Sequence, residues 1–302
     1  MTIFKKIKNL ILDAEKSENF YRFLFARIFL TKLSFIFKHF SIKRKNYKLK
    51  LSPLSYPLTF FIKEPSKMTL FDKEEELLKL LMPNEGWFVD IGANIGHISI
   101  YLKKSLPNIK CLSVEANPNT YKHLKKNIML NNLDIKTKNC LIGEHNNQKK
   151  KFQDSFSDDG NSVALENFED KDLYIVDNNN ELIEMDTKKL DTICEEFNIK
   201  NIDLLKVDTE GYEYFVLKGG EEILQKTNII YFECWDRLNK KYNYNSELLI
   251  SYLQNKKFNI YTFDINYILL NKLNYKNLTK IDSDFKSEVN QNLLAIKNDY
   301  MH

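Results

Sequence analysis

The sequence predicts an α/β fold, a mostly parallel sheet wrapped by helices. Three observations carry this expectation. From Gly86 onward, short apolar runs alternate with amphipathic helical stretches. The first of these runs breaks into a glycine turn, "FVDIGANIGHISI" (88–100). Two later runs, "CLSVE" and "LLKVD", also end on an acid. Strand and helix in alternation require crossover connections, and those give parallel strands. With 302 residues, 43% of them hydrophobic, the chain has ample material for one large core. One domain with an appendage fits that length better than two equal domains.

The elements follow in order. "FYRFLFARIFLTKLSFIFKHF" (20–40) reads as a helix with one narrow polar stripe, Arg27, Thr31, Ser34 and Lys38, and an otherwise apolar surface. "YKLKLS" and "YPLTFFIK" read as short strands interrupted by prolines. "LFDKEEELLKLLM" (70–82) is an amphipathic helix ended by Pro83. Then come strand "WFVDIG", helix "HISIYLKKSL", strand "IKCLSVEA", helix "NPNTYKHLKKNIMLNNL" and strand "IKTKNCLIG". A polar, loop-rich insertion follows over about 144–180, with "SDDGNS" and "DNNN" as turn signals. Beyond it lie helix "LDTICEEFNI", strand "IDLLKVD", helix "YEYFVLKGGEEILQKT" and strand "NIIYFECW". Helix "SELLISYLQNKKF", the strand-like "NIYTFDINYILL" and a last strand "QNLLAIK" complete the chain.

Charge divides the chain. Residues 1–50 hold 13 Lys or Arg against 3 Asp or Glu, a net +10, which leaves −6 on the rest of a chain whose total is +4. A basic leader suits an anionic surface, and an interfacial helix over 20–50 lying on lipid is one reading. Packing of that helix on its own domain or on a dimer mate is the other. Charges at Arg22, Arg27, Lys32 and Lys38 make it a poor membrane span. The organisation expected is therefore a basic amphipathic extension over 1–60 and a catalytic domain over 61–302. The start lacks a long apolar stretch and a small-residue cleavage site, so a cytoplasmic protein is expected, or one peripheral on the cytoplasmic face of a membrane. The four cysteines show no C-x-x-C pair and read as buried thiols.

In an open α/β sheet, ligands bind where strand C-ends meet helix N-ends. Asp90 ends the first such strand, and Gly92-Ala93-Asn94-Ile95-Gly96 forms the turn after it. Gly92 allows a ligand close to the backbone, and Gly96 allows the next helix close to the sheet. Asn94 tolerates unusual φ/ψ. The spacing is D-x-G-x-N-x-G rather than G-x-G-x-x-G, which argues against a pyrophosphate cradle and against NAD. The next strand ends at Glu115, followed by Ala116 and Asn117; an acid there commonly takes ribose hydroxyls. A strand-end acid can equally complement a helix N-terminus.

Together "FVDIGANIGHISI", "VEANPNTYKHLKKNI", "IDLLKVDTEGYEYFVLKGGEEIL", "IIYFEC" and "NLLAIK" resemble the FkbM-type S-adenosylmethionine-dependent methyltransferases. The likeness covers about residues 86–235 and the last strand. Ala116 stands where that family usually has proline, and Thr209 where it usually has valine. The resemblance implies a Rossmann-like, seven-stranded sheet of the class I methyltransferase type, with one antiparallel strand near its edge. It implies S-adenosyl-L-methionine as cofactor. Asp90 would hold the amino-acid end and Gly92 through Gly96 would line it. Glu115 would take the ribose, Asn139 and Cys140 would lie near the adenine, and Asp208 would sit near the sulfonium. The implied reaction is O-methylation of a sugar, glycan, glycolipid or secondary metabolite.

A hydroxyl acceptor needs a base. "KVDTEGYE" offers Lys206, Asp208 and Glu210 in one strand-end turn, with Lys206 and Asp208 on one strand face. Asp208 and Glu210 could share base duty or hold a divalent metal, although five His with no H-x-x-H spacing give no clear metal site. Glu210 could instead complement a helix N-terminus. His97 faces the same crevice as a base, a substrate contact or a structural residue. Glu233 could bound the acceptor pocket or pair with a lysine. Two alternatives stay open: a NAD or nucleotide-sugar enzyme on a related fold, and an RNA methyltransferase using the basic leader. The net acidic body weakens the nucleic-acid reading.

Overall fold

The computed structural model describes residues 11–12, 14–17, 19–33, 40–51, 70–153, 164–165, 182–271 and 273–300. The leader helix runs from Phe20 to Leu33. A hairpin follows, β1 (Phe40–Arg44) and β2 (Tyr47–Leu51). After the helix Leu70–Leu81 come β3 (Gly86–Ile91), β4 (Ile109–Glu115) and β5 (Lys136–Asn139), joined by the helices His97–Ser105 and Pro118–Leu130. The insertion contributes β6 (Leu141–Ile142), β7 (Lys149–Gln153), β8 (Ala164–Leu165) and β9 (Leu182–Lys188). Then come β10 (Ile202–Val207), β11 (Thr227–Cys234), β12 (Phe258–Thr262), β13 (Thr279–Ile281) and β14 (Gln291–Lys297). "YPLTFFIK" lies outside the described residues.

The main sheet has the order β13–β12–β14–β11–β10–β3–β4–β5. Pairings from β11 through β10, β3 and β4 to β5 are parallel, and β14 runs antiparallel between β11 and β12. The expected seven strands are present, and β13 adds an eighth at the edge, antiparallel to β12. Because β3 is central and the chain goes first to β4 and β5 and then back to β10, the crevice between β3 and β10 is the topological switch point. One apolar cluster covers each face. Val89, Leu205 and Phe232 point to one, and Phe88, Leu204 and Tyr231 to the other, as strand alternation demands.

Four elements differ from the sequence reading. The third strand stops at Asn139; Leu141 and Ile142 leave the main sheet and pair with β9. The insertion is not only loop: β7 pairs antiparallel with β8 and β9. The helix after the Asp208 turn ends at Lys218, and a 3-10 turn, Ile223–Lys226, follows. Gly219, at the end of that helix, lies against the insertion, where a Cβ would fall 2.1 Å from the Gly143 carbonyl oxygen. "NIYTFDINYILL" is a strand only to Thr262; Ile265–Asn271 is a helix packed against Leu70–Leu81. Among the described residues, no helix is long and apolar enough to cross a membrane. All four cysteines are buried free thiols.

The hairpin is docked rather than free. Tyr47, Leu49 and Leu51 are buried in the cluster of Leu77, Leu78 and Ile98. Asn131 accepts from the Lys48 N–H at 2.8 Å and donates to its carbonyl at 2.7 Å. Asn127 accepts from the Lys50 N–H at 2.7 Å and donates to the Ile95 carbonyl in the glycine turn at 3.0 Å. Arg44 pairs with Asp72, and Lys45 with Glu75 and Glu76 at 3.2 and 3.0 Å. Part of the leader's positive charge is thus spent on the acidic helix. Asn127→Ala leaves two backbone groups, the buried Ile95 carbonyl and the part-buried Lys50 N–H, without their partner and is expected to cost about 2–6 kcal/mol at roughly 1–3 kcal/mol per orphaned group. Urea denaturation measures it, and an unchanged midpoint would contradict the tie.

Candidate active site

Strand register assembles the site. Ser113, Asp90, Lys206, Tyr231 and Leu294 form one rung across β4, β3, β10, β11 and β14. Side chains alternate with period two, so the next rung on this face lies two residues on. Val207 opposite Phe232 sets Asp208 beside Glu233, and Glu233 faces Asn292. Gly92 flanks Asp208 on the other side, where Asp208 donates its N–H to the Ile91 carbonyl at 3.1 Å.

Asp90 and Lys206 are both almost fully buried. Asp90 Oδ1 lies 3.5 Å from Lys206 Nζ, and Lys206 Nζ lies 3.1 Å from Asp208 Oδ2. Asp90 Oδ2 accepts from Ser99 at 2.7 Å, and Ser113 donates to Ser99 at 2.8 Å. Burial opposes the Lys206 ammonium, but Asp208, Asp90 and Glu74 outweigh it and hold its pKa above the ordinary lysine value. Burial also lifts Asp90, against the pull of Lys206 and Ser99. Asp90 is therefore an internal anchor as well as a crevice residue. Glu74 and Tyr231 were not anticipated. Glu74 reaches the rung from the helix Leu70–Leu81 and hydrogen-bonds Tyr231, and burial pushes its carboxyl up to about 7.

The glycine turn closes against β4 and β10. Gly92 and Ala93 both donate to the Val114 carbonyl at 3.0 Å. Gly92 has φ +77, and a Cβ there would lie 1.8 Å from the Asp208 carbonyl oxygen, so only glycine fits. Asn94 has φ +51, an αL conformation that asparagine tolerates. Its N–H donates to Glu115 Oε2 at 2.8 Å, and the Asn117 N–H donates to Glu115 Oε1 at 2.8 Å. Burial lifts Glu115 to about 7 against those two amides. Asn117 also caps the next helix, accepting from Asn119 and Thr120. Asn139 donates to the carbonyls of Glu115 and Ala116, both at 2.8 Å, which joins it to the site's outer wall. The Cys140 side chain instead packs in the core, where burial pushes the thiol up to about 12.

Beyond Asp208 the chain turns tightly. Glu210 sits at φ +58 and Gly211 at φ +97. Glu213, unnoticed in the sequence, ties this turn by accepting from the Thr209 N–H, the Thr209 hydroxyl and the Gly211 N–H at 2.7, 3.0 and 3.2 Å. Burial, then Asp208 and Glu213, push Glu210 up to about 8. His97 packs its ring edge-on against Phe71 at 5.3 Å. Burial and then Lys206 lower its pKa to about 3, so it stays neutral and is a poor proton acceptor.

Several atoms are left for a ligand. Asn94 Oδ1, His97 Nε2 and Glu233 Oε2 are buried without a hydrogen-bond partner. Glu115 keeps lone pairs beyond its two amides. A nucleoside with ribose hydroxyls and a cationic tail fits this set: Glu115 offers acceptors, and Asp90 and Asp208 offer negative charge. Among the described residues, no group of three or more His, Cys, Asp or Glu is placed to share a metal ion.

The sequence is similar to known proteins. The sequence profile of the "Methyltransferase FkbM domain" matches residues 90–260. "Methyltransferase 1" of Beauveria bassiana (strain ARSEF 2860) is 30% identical over 149 residues, 45% of this chain and 59% of that one. "Methyltransferase sdnD" of Sordaria araneosa is 28% identical over 188 residues, 51% of this chain and 68% of that one. "2-O-methyltransferase NoeI" of Sinorhizobium fredii (strain NBRC 101917 / NGR234) is 42% identical over 55 residues, 18% of this chain and 23% of that one. With its parallel sheet, its glycine turn at the switch point and this match over more than half its length, the chain belongs to the FkbM family of S-adenosylmethionine-dependent methyltransferases.

Proposed function

We propose that this protein methylates a hydroxyl oxygen on a sugar, glycan, glycolipid or secondary-metabolite acceptor. The observation that carries the cofactor half is the ring of strand-end carboxyls, Asp90, Glu115 and Asp208, around a turn where Gly92 alone fits against the Asp208 carbonyl. The Sinorhizobium relative, a 2-O-methyltransferase by name, supports transfer to oxygen. S-adenosylmethionine would supply an electrophilic methyl on a sulfonium. The chain's part is alignment, which can be worth about 7–11 kcal/mol, and removal of the hydroxyl proton.

Within this reading Glu115 takes the ribose hydroxyls, and Asn94 and Asn117 hold its carboxylate in place. Gly92, Ala93 and Gly96 line the cofactor, and Ala116, Asn117 and Asn139 form its adenine side with the Cys140 backbone. Asp90 serves the amino-acid end, and Lys206 fixes both Asp90 and Asp208. Glu210 is the base, because it stands in the strand-end turn beside Asp208, burial with Asp208 and Glu213 lifts its carboxyl to about 8, and its backbone is held at a positive φ. The leader helix adds a membrane-surface contact: Tyr21, Phe25 and Ile28 lie one turn apart along one face, and Tyr21 and Phe25 are 82% and 71% exposed.

Thermal shift tests the cofactor. S-adenosylhomocysteine should raise the melting temperature and NAD should not, and Glu115→Gln should weaken S-adenosylhomocysteine at least about tenfold by removing one amide-holding, ribose-binding oxygen. Stabilisation by NAD alone would overturn the reading. As a base, Glu210 must be ionised, so kcat/KM should rise with pH and level off above about 8. Glu210→Gln should abolish that rise, and a variant with the wild-type profile would exclude Glu210. Vesicles of mixed neutral and anionic phospholipid should float the full chain but not a Tyr21→Ser, Phe25→Ser variant; equal flotation would remove the lipid contact.

A further inference from the structure

We propose that Asp208 and Glu233 together hold two neighbouring hydroxyls of an uncharged acceptor, the reacting hydroxyl at Asp208 beside Glu210 and its neighbour at Glu233. This rests on the O-methylation reading above. The two carboxyls end adjacent parallel strands on the same face of the sheet, one step past Val207 and Phe232. Neighbouring strands lie about 4.8 Å apart, a gap that two hydroxyls on adjacent carbons can bridge with one on each carboxyl.

Glu233 is built to receive something. It is only 8% exposed, its side chain hydrogen-bonds Asn290, and its Oε2 has no partner. A buried carboxyl oxygen in that state is costly unless a ligand covers it. Burial, followed by Asp208, Glu213 and Glu210, pushes its carboxyl up to about 10, so at neutral pH it is a neutral acid able to donate. Asp208 is tied to Lys206 and offers acceptors. The pair thus presents one donor and one acceptor, which matches two hydroxyls better than two identical carboxylates would.

The surrounding charge sets the class of acceptor. Asp208 and, once ionised as the base, Glu210 put negative charge here beside the neutral Glu233, opposed by Lys206 and by Lys241, whose ammonium burial disfavours. Lys206 is already shared between Asp90 and Asp208. A carboxylate or phosphate entering this space would meet like charge, and a neutral polyol would not.

The test is transfer from labelled S-adenosylmethionine by the full chain to three matched probe sets: methyl hexopyranosides, their monodeoxy analogues, and the corresponding uronic acids. Each neutral parent should be labelled at least about tenfold faster than the analogue lacking the neighbouring hydroxyl, and faster than its uronic acid. Glu233→Ala should raise the acceptor KM by a similar factor with S-adenosylhomocysteine binding unchanged, and Glu233→Gln, which keeps one donor and one acceptor there, should raise it by less. Equal labelling of parent and deoxy sugars, or an unchanged KM in Glu233→Ala, overturns the paired-hydroxyl site while leaving O-methylation standing. Label in none of the sugars, with S-adenosylhomocysteine still bound, overturns the sugar reading and this site with it. If Glu233→Ala does not fold, the parent and deoxy comparison in the wild-type chain decides.

Discussion

A lysine ammonium sits in the middle of the sheet, and the site is arranged to neutralise it. Lys206 lies on β10 with Asp90 on the neighbouring strand, Asp208 two residues ahead, and Glu74 coming in from a helix. Removing one partner from a buried pair commonly costs about 3–5 kcal/mol, because the survivor is left uncompensated. That constraint fixes the strand register at the switch point and aims Asp208 toward the crevice. It also explains Ser99 and Ser113, whose hydroxyls extend the polar rung to β4 and keep Asp90 hydrogen-bonded on its other oxygen.

Negative charge is distributed unevenly around this ion pair. Near Glu115, backbone amides of Asn94 and Asn117 supply the compensation. Near Glu213 the amides of Thr209 and Gly211 do the same. Glu210 and Glu233 have no such set, and they are the carboxyls whose protons are held most tightly. One crevice therefore contains fixed acceptors on the cofactor side and proton-holding acids on the other, a division suited to binding one molecule and exchanging a proton with the next.

Much of this was legible in the sequence because strands announce their own ends. Asp90, Glu115 and Asp208 each close an apolar run, and Gly92 and Asn94 mark a turn with unusual backbone. Lys206 and Asp208 could be placed on one face from period two alone. Glu74 could not: three consecutive glutamates on the helix Leu70–Leu81 look alike until tertiary packing turns Glu74 to the rung and Glu75 to Tyr47. Tyr231 was hidden for the opposite reason, since a tyrosine inside "IIYFEC" reads as core. The insertion sheet escaped notice because β7 is lysine-rich and lacks apolar alternation. "INYILLN" reads as strand because a short apolar run has no period long enough to separate helix from strand.

Asn127 joins two parts of the chain that the sequence places far apart. Its amide links the carbonyl of Ile95, within the cofactor turn, to the N–H of Lys50 on the leader hairpin. A version of the protein begun at residue 61, where composition suggests a clean boundary, would strip that strand away. It would also leave Asn127, Asn131 and Glu75 facing water or one another in place of Lys50, Lys48 and Tyr47. For anyone cutting this chain down, a start at or before Phe40 keeps the hairpin and with it the Asn127 tie to the cofactor turn.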